Sequence, residues 1–503
     1  MPGMIVSPHP LATKAGEDVL AKGGNAIEAA IAVNAVMAVV YPHFCGLGGD
    51  AVWLVSDGQG NETAILGIGQ AISVGDATAP IPTRGPRSVL TTAAVVDSWA
   101  HALAHWPARH SLGDLIAPAI KIAADGFAVS SSQAHWLAFR AAETANWPGF
   151  DALFRQEGFC VQPQLAGTLE SIAKDGARSF YEGDLGHRIV CGLRATGVPI
   201  GHADLAATQT RSAAPVAINY RGLQLLAPPP PTQGLTTLGI MGILSHFDLS
   251  AIDEDSAEHV HLVVEAVKRA FIDRPMIADP DGSAVDYAAL LDPARLQAKA
   301  ESIGDRAMPW PHTFAPADTV YFAATDRHGR SASVLQSIYF DWGSGVVAGD
   351  TGILWQNRGA AFASDPDHVN GFRPGKRPFY TLNPGMALRG SKPCLLYGTQ
   401  GADGQPQTLA MLLTRLIDYG RTPHEALAGG RFLLGRTFSD SRDTLKLEGQ
   451  FQPSVQNELA GRGHEVAPIP AYSPLAGQAG VIVIHADGSL DGCHDPRGQT
   501  QVS

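Results

Sequence analysis

Few side chains in this sequence carry the spacing of a short catalytic motif. His101 and His105, in HALAH, stand four apart, the spacing with which one helix face offers two imidazoles to a metal ion. Neither an adjacent glutamate base nor an evident third ligand accompanies them, so they read as helix-surface histidines, and no metal is expected. Gly46-Leu47-Gly48-Gly49 follows a helical pattern and precedes a strand. A phosphate-cradling loop needs the reverse order, so these glycines are assigned to packing or a turn. No serine sits in a G-x-S-x-G elbow, which argues against a serine hydrolase of that kind. Cys45, Cys160, Cys191, Cys394 and Cys493 are odd in number, far apart and never C-x-x-C. Neither a disulfide framework nor a zinc knuckle is indicated, a reducing compartment fits, and no cofactor is expected.

Charge removes other classes of function. The 503 residues carry 36 Lys and Arg against 48 Asp and Glu, a formal charge of −12, with no basic cluster. Neither nucleic acid nor an anionic membrane is therefore an expected partner. The opening MPGMIVSPHPLA has no basic stretch followed by an apolar core, and no apolar run approaches the ~20 residues that span a bilayer. The expectation is a soluble, cytoplasmic chain of one or two domains. With 55 Gly and 35 Pro, tight turns should be frequent without low complexity.

The first elements read as a helix pair. LATKAGEDVLAKGG is amphipathic and stopped by Gly23-Gly24, and NAIEAAIAVNAVMAVVY has Asn25 as N-cap and an Ala-rich face for close packing. After the glycine loop PHFCGLGGD come the strand-like AVWLVSD and ETAILGIG about a turn at Gly58-Gln59-Gly60. Helical patterns dominate from about Thr91 to Arg274, interrupted by a strand pair in PVAINYRGLQLLAPPPP, and the apolar stripe of HLVVEAVKRAF reads as core. Beyond Asp318 the pattern changes: TVYFAATD, the turn Arg327-His328-Gly329-Arg330 and SASVLQSIY alternate as an antiparallel hairpin. The proline-rich MPWPHTFAPAD (Met308 to Asp318) reads as an exposed linker delivering the chain to that first strand.

Taken in order, these segments resemble one family. SPHPLATKAGEDVLAKGGNAIEAAIAVNAVMAVVYPHFCGLGGD, PAIKIAADGF, DLAATQTRSAAPVAINYRG, PPPPTQG, HLVVEAVKRAFIDR, GSGVVAGDTGIL, PGKRP, LIDYGRTPHEAL and HDPRG are similar to the γ-glutamyltranspeptidase family over essentially the whole chain. The resemblance implies an N-terminal-nucleophile hydrolase: a four-layer αββα sandwich of two stacked antiparallel sheets. Such proteins are made as inactive precursors that cut themselves once. Matching the nucleophile-bearing segment to DTVYFAATDRHGRSAS puts the cut between Asp318 and Thr319, giving a large fragment 1–318 and a small fragment 319–503 that form one body and could pair further.

The chemistry explains a threonine at a chain start. A hydroxyl needs a base within hydrogen-bond reach, and a terminal α-amine with a pKa near 7.7 is such a base on the same residue. Before the cut the same hydroxyl can attack the preceding carbonyl, through an ester that water opens. The resemblance also implies that the Ser337 hydroxyl bonds the nucleophile and that the backbone N–H groups of Gly401 and Ala402 hold the oxyanion.

The substrate shell departs from the family pattern. Gln70 or Gly69 falls where an arginine would hold the glutamyl α-carboxylate, Ala361 where an acid would hold the α-amine, and Tyr380-Thr381 where two serines follow KRP. Tyr339 replaces a substrate-contacting polar residue, and Arg358 stands where a neutral amide is usual. Losing both anchors disfavours a γ-glutamyl group, while Arg358 favours an acyl amide bearing a carboxylate and no α-ammonium. GTQGADGQPQ followed by GGRFLLGRTF looks most like the oxamate amidohydrolase branch. The expectation is a self-processing amidohydrolase acting on a small carboxylate-bearing amide. A γ-glutamyl transferase or glutathione hydrolase is the alternative, and an unprocessed, inactive homologue that binds a partner is an alternative of another class.

Overall fold

The computed structural model describes residues 3–74, 80–155, 158–311, 318–436 and 442–498. The chain opens with β1 (Gly3–Val6), then the helix pair α1 (Pro10–Ala21) and α2 (Ala26–Val40). Asn25 caps α2 in both directions. Its Oδ1 accepts from the N–H groups of Ile27 (2.8 Å) and Glu28 (3.0 Å), and the Glu28 carboxylate accepts the Asn25 N–H at 2.8 Å. Every residue of α2 is buried. A helix apolar all round belongs in an interior, and small alanines let α1 approach closely on one side and the sheet on the other.

The next strands are β2 (Asp50–Ser56), β3 (Glu62–Gly67), β4 (Arg211–Ala213), β5 (Val216–Tyr220) and β6 (Leu223–Ala227), followed by helices α3 (Gly234–Leu244) and α4 (Ala257–Phe271). After residue 318 come β7 (Val320–Asp326), β8 (Ser331–Ser337), β9 (Gly385–Arg389), β10 (Lys392–Thr399), α5 (Gln405–Leu413), β11 (Ala479–Ile484) and β12 (Leu490–His494). The β7–β8 hairpin forms at the expected turn, where the Asp326 carboxylate accepts the N–H groups of His328 (2.8 Å) and Arg330 (3.2 Å).

Two six-stranded sheets result, in the orders β1-β7-β8-β2-β3-β4 and β12-β11-β10-β9-β6-β5. Neighbouring strands within each are antiparallel. The period-two alternation of each strand builds the layers. In β7, Val320, Phe322 and Ala324 face the α1–α2 side with Trp53, Val55 and Ile65. Tyr321 and Ala323 face the other way, where they meet Leu226, Met386, Leu388, Leu396 and Ile482 of the second sheet. The far face of that sheet packs Leu225, Ala387, Leu395 and Val481 on α3, α4 and α5. The order is helices, sheet, sheet, helices, the αββα sandwich. Residues on both sides of position 318 share each sheet: β7 and β8 lie between β1 and β2, and β9 pairs with β6.

At its start the linker is partly exposed, with Pro309 and Pro311 in solvent, but it is tethered, and at its end it is buried. The Met308 N–H reaches the Glu265 carboxylate at 3.2 Å, the Met308 carbonyl accepts from Lys268 Nζ at 2.6 Å, and Trp310 packs on Phe271. Asp318 is buried, because the polar ends of β7 and β8 hold its backbone inside; residues 312–317 lie outside the described residues. Among the described residues, no helix is long and apolar enough to cross a membrane.

Candidate active site

The open end of the β7–β8 hairpin brings the first candidates together. The register pairs Gln336 with Val320, which sets Ser337 opposite Thr319, and on its other side Ser337 pairs with Asp50 of β2. Thr319 and Ser337 are both fully buried. The Ser337 hydroxyl donates to the Asp318 carbonyl at 2.7 Å and accepts the Tyr339 N–H at 2.8 Å, while the Tyr339 carbonyl accepts the Asp318 N–H at 2.7 Å. In this uncut chain Ser337 therefore polarises the carbonyl before Thr319 rather than bonding the Thr319 hydroxyl. That hydroxyl accepts from Gln405 Nε2 at 3.3 Å, and the Thr319 N–H donates to Asp318 Oδ1 at 3.0 Å. Gln405, at the start of α5, was missed from sequence. Its only signal was its place in GQPQ, directly after the Gly401-Ala402 pair.

The glycine loop explains how the hairpin end is held. A Cβ on Gly49 would lie 2.3 Å from the Ser337 carbonyl oxygen, and one on Gly48 would lie 2.3 Å from that of Leu354. Only backbone fits between these strands, which is a packing role.

Gly401 and Ala402 follow β10 with φ of +115° and +47°. Left-handed backbone at consecutive residues makes a concave turn whose N–H groups can converge on one anion. Neither N–H has a hydrogen-bond partner among the described residues. Gln233 clamps the turn from behind, its Nε2 donating to the carbonyls of Thr381 (2.6 Å) and Ala402 (2.8 Å). The HDPRG segment supports the same turn at longer range. Arg431 pairs with Asp495 at 2.6 Å and donates to the Gly477 carbonyl at 3.2 Å, Arg497 pairs with Glu448, and the Gln478 carbonyl accepts the Gln400 N–H at 3.0 Å.

Arg358 is the least expected feature in energetic terms. It is fully buried, and none of its three guanidinium nitrogens has a hydrogen-bond partner among the described residues. It lies between two rings, 3.9 Å from the Tyr339 centroid and 4.4 Å from that of Tyr380. Tyr339 clusters with Phe340 and Ala402, with Ala361 packed against the same group, so one of the two rings that hold the guanidinium also belongs to the cluster at the turn. Burial lowers the proton affinity of Arg358, and the Tyr380, Tyr339 and Asp50 oxygens oppose the effect. The Tyr380 hydroxyl donates to Asp50 Oδ2 at 2.7 Å, and Asp50 Oδ1 accepts the N–H groups of Gly69 (2.9 Å) and Ala94 (3.0 Å). Burial pushes the Asp50 carboxyl up to about 6, against the pull of the Tyr380 hydroxyl and the Arg358 charge. Asp50, Gln233 and Gln405 act through contacts distant in sequence, which periodicity does not reveal.

Two other expected contacts are arranged differently. The Gln70 amide donates to the Asp204 carbonyl at 3.4 Å rather than to this cluster, while the Gly69 carbonyl lies 3.4 Å from the Tyr380 hydroxyl. Asp318 is buried, and that burial, with Asp341 nearby, holds its carboxyl well above the usual range. Asp341 is paired with Arg84 (3.1 Å) and Arg140 (2.8 Å).

His101 and His105 stack at 4.0 Å, with His101 Nε2 on the Ser212 hydroxyl at 2.7 Å. Two other groups have ligand atoms close enough for a cation among the described residues, the exposed His187, Cys191 and His202 and the buried His261, Glu265 and His464. In the buried group a protein cation is already in place: Lys268 Nζ lies 2.8 Å from Glu265 and 3.4 Å from His464 Nδ1.

A buried hydroxyl, together with a backbone turn and a guanidinium that have no partner among the described residues, is the equipment for acyl transfer. Residues 12–503 match the family model described as Gamma-glutamyltranspeptidase. The chain belongs to the γ-glutamyltranspeptidase family. It is 44% identical over 515 residues to the oxamate amidohydrolase proenzyme of Klebsiella pneumoniae, covering 98% of this chain and 97% of that protein. It is 41% identical over 509 residues to the glutathione hydrolase-like YwrD proenzyme of Bacillus subtilis, again covering 98% and 97%. Among solved structures, cephalosporin acylase from Bacillus halodurans superposes with a TM-score of 0.91 at 30% identity, over 99% of this chain and 94% of that one. The family and the fold identify an enzyme of the N-terminal-nucleophile hydrolase type that hydrolyses or transfers an acyl group.

Proposed function

We propose that this chain cuts itself between Asp318 and Thr319 and then hydrolyses a small carboxylate-bearing amide, oxamate being the model substrate. The Thr319 hydroxyl attacks the amide carbonyl while the Thr319 α-amine takes its proton and passes it to the leaving nitrogen. The N–H groups of Gly401 and Ala402 hold the oxyanion, and ammonia departs. Water then adds to the Thr319 ester, the acid is released, and the hydroxyl regains its proton. Large and small fragments stay together as one body.

The observation that carries the substrate choice is Arg358. A guanidinium buried with no hydrogen-bond partner among the described residues is costly unless something anionic pairs with it during function. A carboxylate there takes a bidentate pair beside Ala402, with Tyr339 and Tyr380 fixing the plane of the fork. The test is mass spectrometry and N-terminal sequencing of the purified protein, followed by ammonia release. Two fragments are expected, the smaller beginning at Thr319, with Thr319→Ala remaining whole. The expected kcat/KM on oxamate is at least about tenfold above that on γ-glutamyl-p-nitroanilide. The reverse preference would favour the γ-glutamyl reading, and an intact wild-type chain would favour a non-catalytic one.

A further inference from the structure

We propose that the side chain of Asp318 takes part in the self-cleavage, carrying the proton from Thr319 Oγ1 to Thr319 N as the peptide bond between the two residues breaks. The inference rests on the reading of Thr319 as nucleophile.

Self-cleavage has a proton problem that the mature reaction lacks. Before the cut Thr319 has no free α-amine, so its hydroxyl has no built-in base, and its amide nitrogen must gain a proton to leave. Among the described residues, the groups around the scissile peptide are few. Ser337 is committed to the Asp318 carbonyl, where it can stabilise the developing oxyanion. Gln405 donates an amide N–H to Thr319 Oγ1 and has no proton to exchange near neutral pH. Among the described residues, the titratable side chain that bonds the scissile peptide is Asp318 itself, with Oδ1 3.0 Å from Thr319 N.

Its surroundings suit that task. Among the described residues, the titratable groups facing it are Asp341, already paired with Arg84 and Arg140, and Tyr41, whose hydroxyl burial keeps protonated. Enclosure, with no cationic partner among the described residues, raises the proton affinity of the Asp318 carboxyl and favours its neutral form, which has one oxygen able to accept a proton and a hydroxyl able to give one. As Thr319 Oγ1 bonds to the Asp318 carbonyl carbon, its proton passes to one carboxyl oxygen. As the C–N bond breaks, the other oxygen gives its proton to Thr319 N. The carboxyl ends as it began, and the product is an ester with a free amine. Water then opens the ester, leaving Asp318 with a carboxylate and Thr319 with its hydroxyl.

The experiment follows full-length precursor after pulse synthesis, by gel and mass spectrometry, for the wild type, Asp318→Asn and Asp318→Glu. Asp318→Asn should slow the cut on the order of 10²-fold, the usual worth of a positioned acid–base group, and Asp318→Glu should recover much of that loss. The wild-type rate should fall as pH rises through the ionisation of Asp318, and Asp318→Asn should lack that slope. Melting of the uncut Thr319→Ala chain with and without Asp318→Asn separates slowed chemistry from misfolding, and equal melting temperatures are expected. Wild-type cutting by Asp318→Asn, or equal slowness of the Asn and Glu variants, overturns the proposal while leaving Thr319 in place. A fragment starting elsewhere overturns the Thr319 reading itself.

Discussion

Replacing Arg358 with methionine separates the cost of a buried charge from its use. In the folded chain the guanidinium is fully enclosed, makes no hydrogen bond among the described residues, and is compensated by the Tyr339 and Tyr380 rings and by Asp50 at longer range. Two desolvated cation–π contacts contribute about 2 kcal/mol each, and burying an ion costs several kcal/mol. The two nearly cancel, so Arg358→Met, which keeps an unbranched apolar stem, should alter folding stability by no more than about 2 kcal/mol. Catalysis should respond differently. A charge-assisted pair with a substrate carboxylate contributes about 1.5–3 kcal/mol, which corresponds to a loss of about 10- to 150-fold in kcat/KM. The assay is ammonia release from oxamate beside a neutral two-carbon amide such as acetamide, with urea unfolding of the same preparations. The oxamate rate should fall by that factor while the neutral amide changes less than about threefold. An equal fall on both substrates, or a stability loss beyond about 3 kcal/mol, would make Arg358 a structural residue and refute the reasoning.

Three further outcomes are expected. Because the Asp50 carboxyl titrates at about 6, Arg358 is opposed by a carboxylate above that pH and unopposed below it. KM for an anionic amide should therefore drop as pH is lowered from 7.5 to 5.5, with KM for a neutral amide flat; a rise for the anion would reverse the assignment. Ser337→Ala removes the donor to the Asp318 carbonyl and should slow self-cleavage about 2- to 12-fold, from a bond worth about 0.5–1.5 kcal/mol, so an unchanged pulse-chase rate would remove Ser337 from that step. Activity should survive exhaustive chelation, since in the proposed mechanism the Thr319 amine supplies the base; a loss restored by zinc would place a metal in the reaction.

Much of the scaffold was legible because its signals are local. Asn25 followed by Glu28 reads as a cap without any tertiary knowledge, and the β7–β8 alternation announces both strands and their turn. The order of family-like segments then pointed to Thr319 and Ser337, which the fold sets at the open end of the β7–β8 hairpin, and to Gly401 and Ala402, which form a left-handed turn. What local pattern could not supply was partnership. Gln405 reaches Thr319 from 86 positions away, and Gln233 reaches Ala402 from 169. Asp50 looked like the end of a glycine loop, yet the sheet sets it beside Ser337 and Tyr380. Gln70 was read toward the substrate shell, but α-helical Asp204 draws its amide away. The linker composition suggested exposure throughout, whereas Glu265 and Lys268 pin its start and the hairpin end encloses Asp318.

The interleaving of strands from either side of position 318 has a consequence for the lifetime of the protein. While the chain is continuous, β7 and β8 find their places between β1 and β2 by a unimolecular search. With the Asp318–Thr319 peptide open, that same insertion would join two separate molecules, and recovery from unfolding would become second order in protein. Folding would then be a one-time event assisted by the intact chain, and the mature enzyme would persist by the height of its unfolding barrier rather than by repeated refolding. Dilution after denaturation should leave the cut form inactive at concentrations where the uncut Thr319→Ala chain regains its structure.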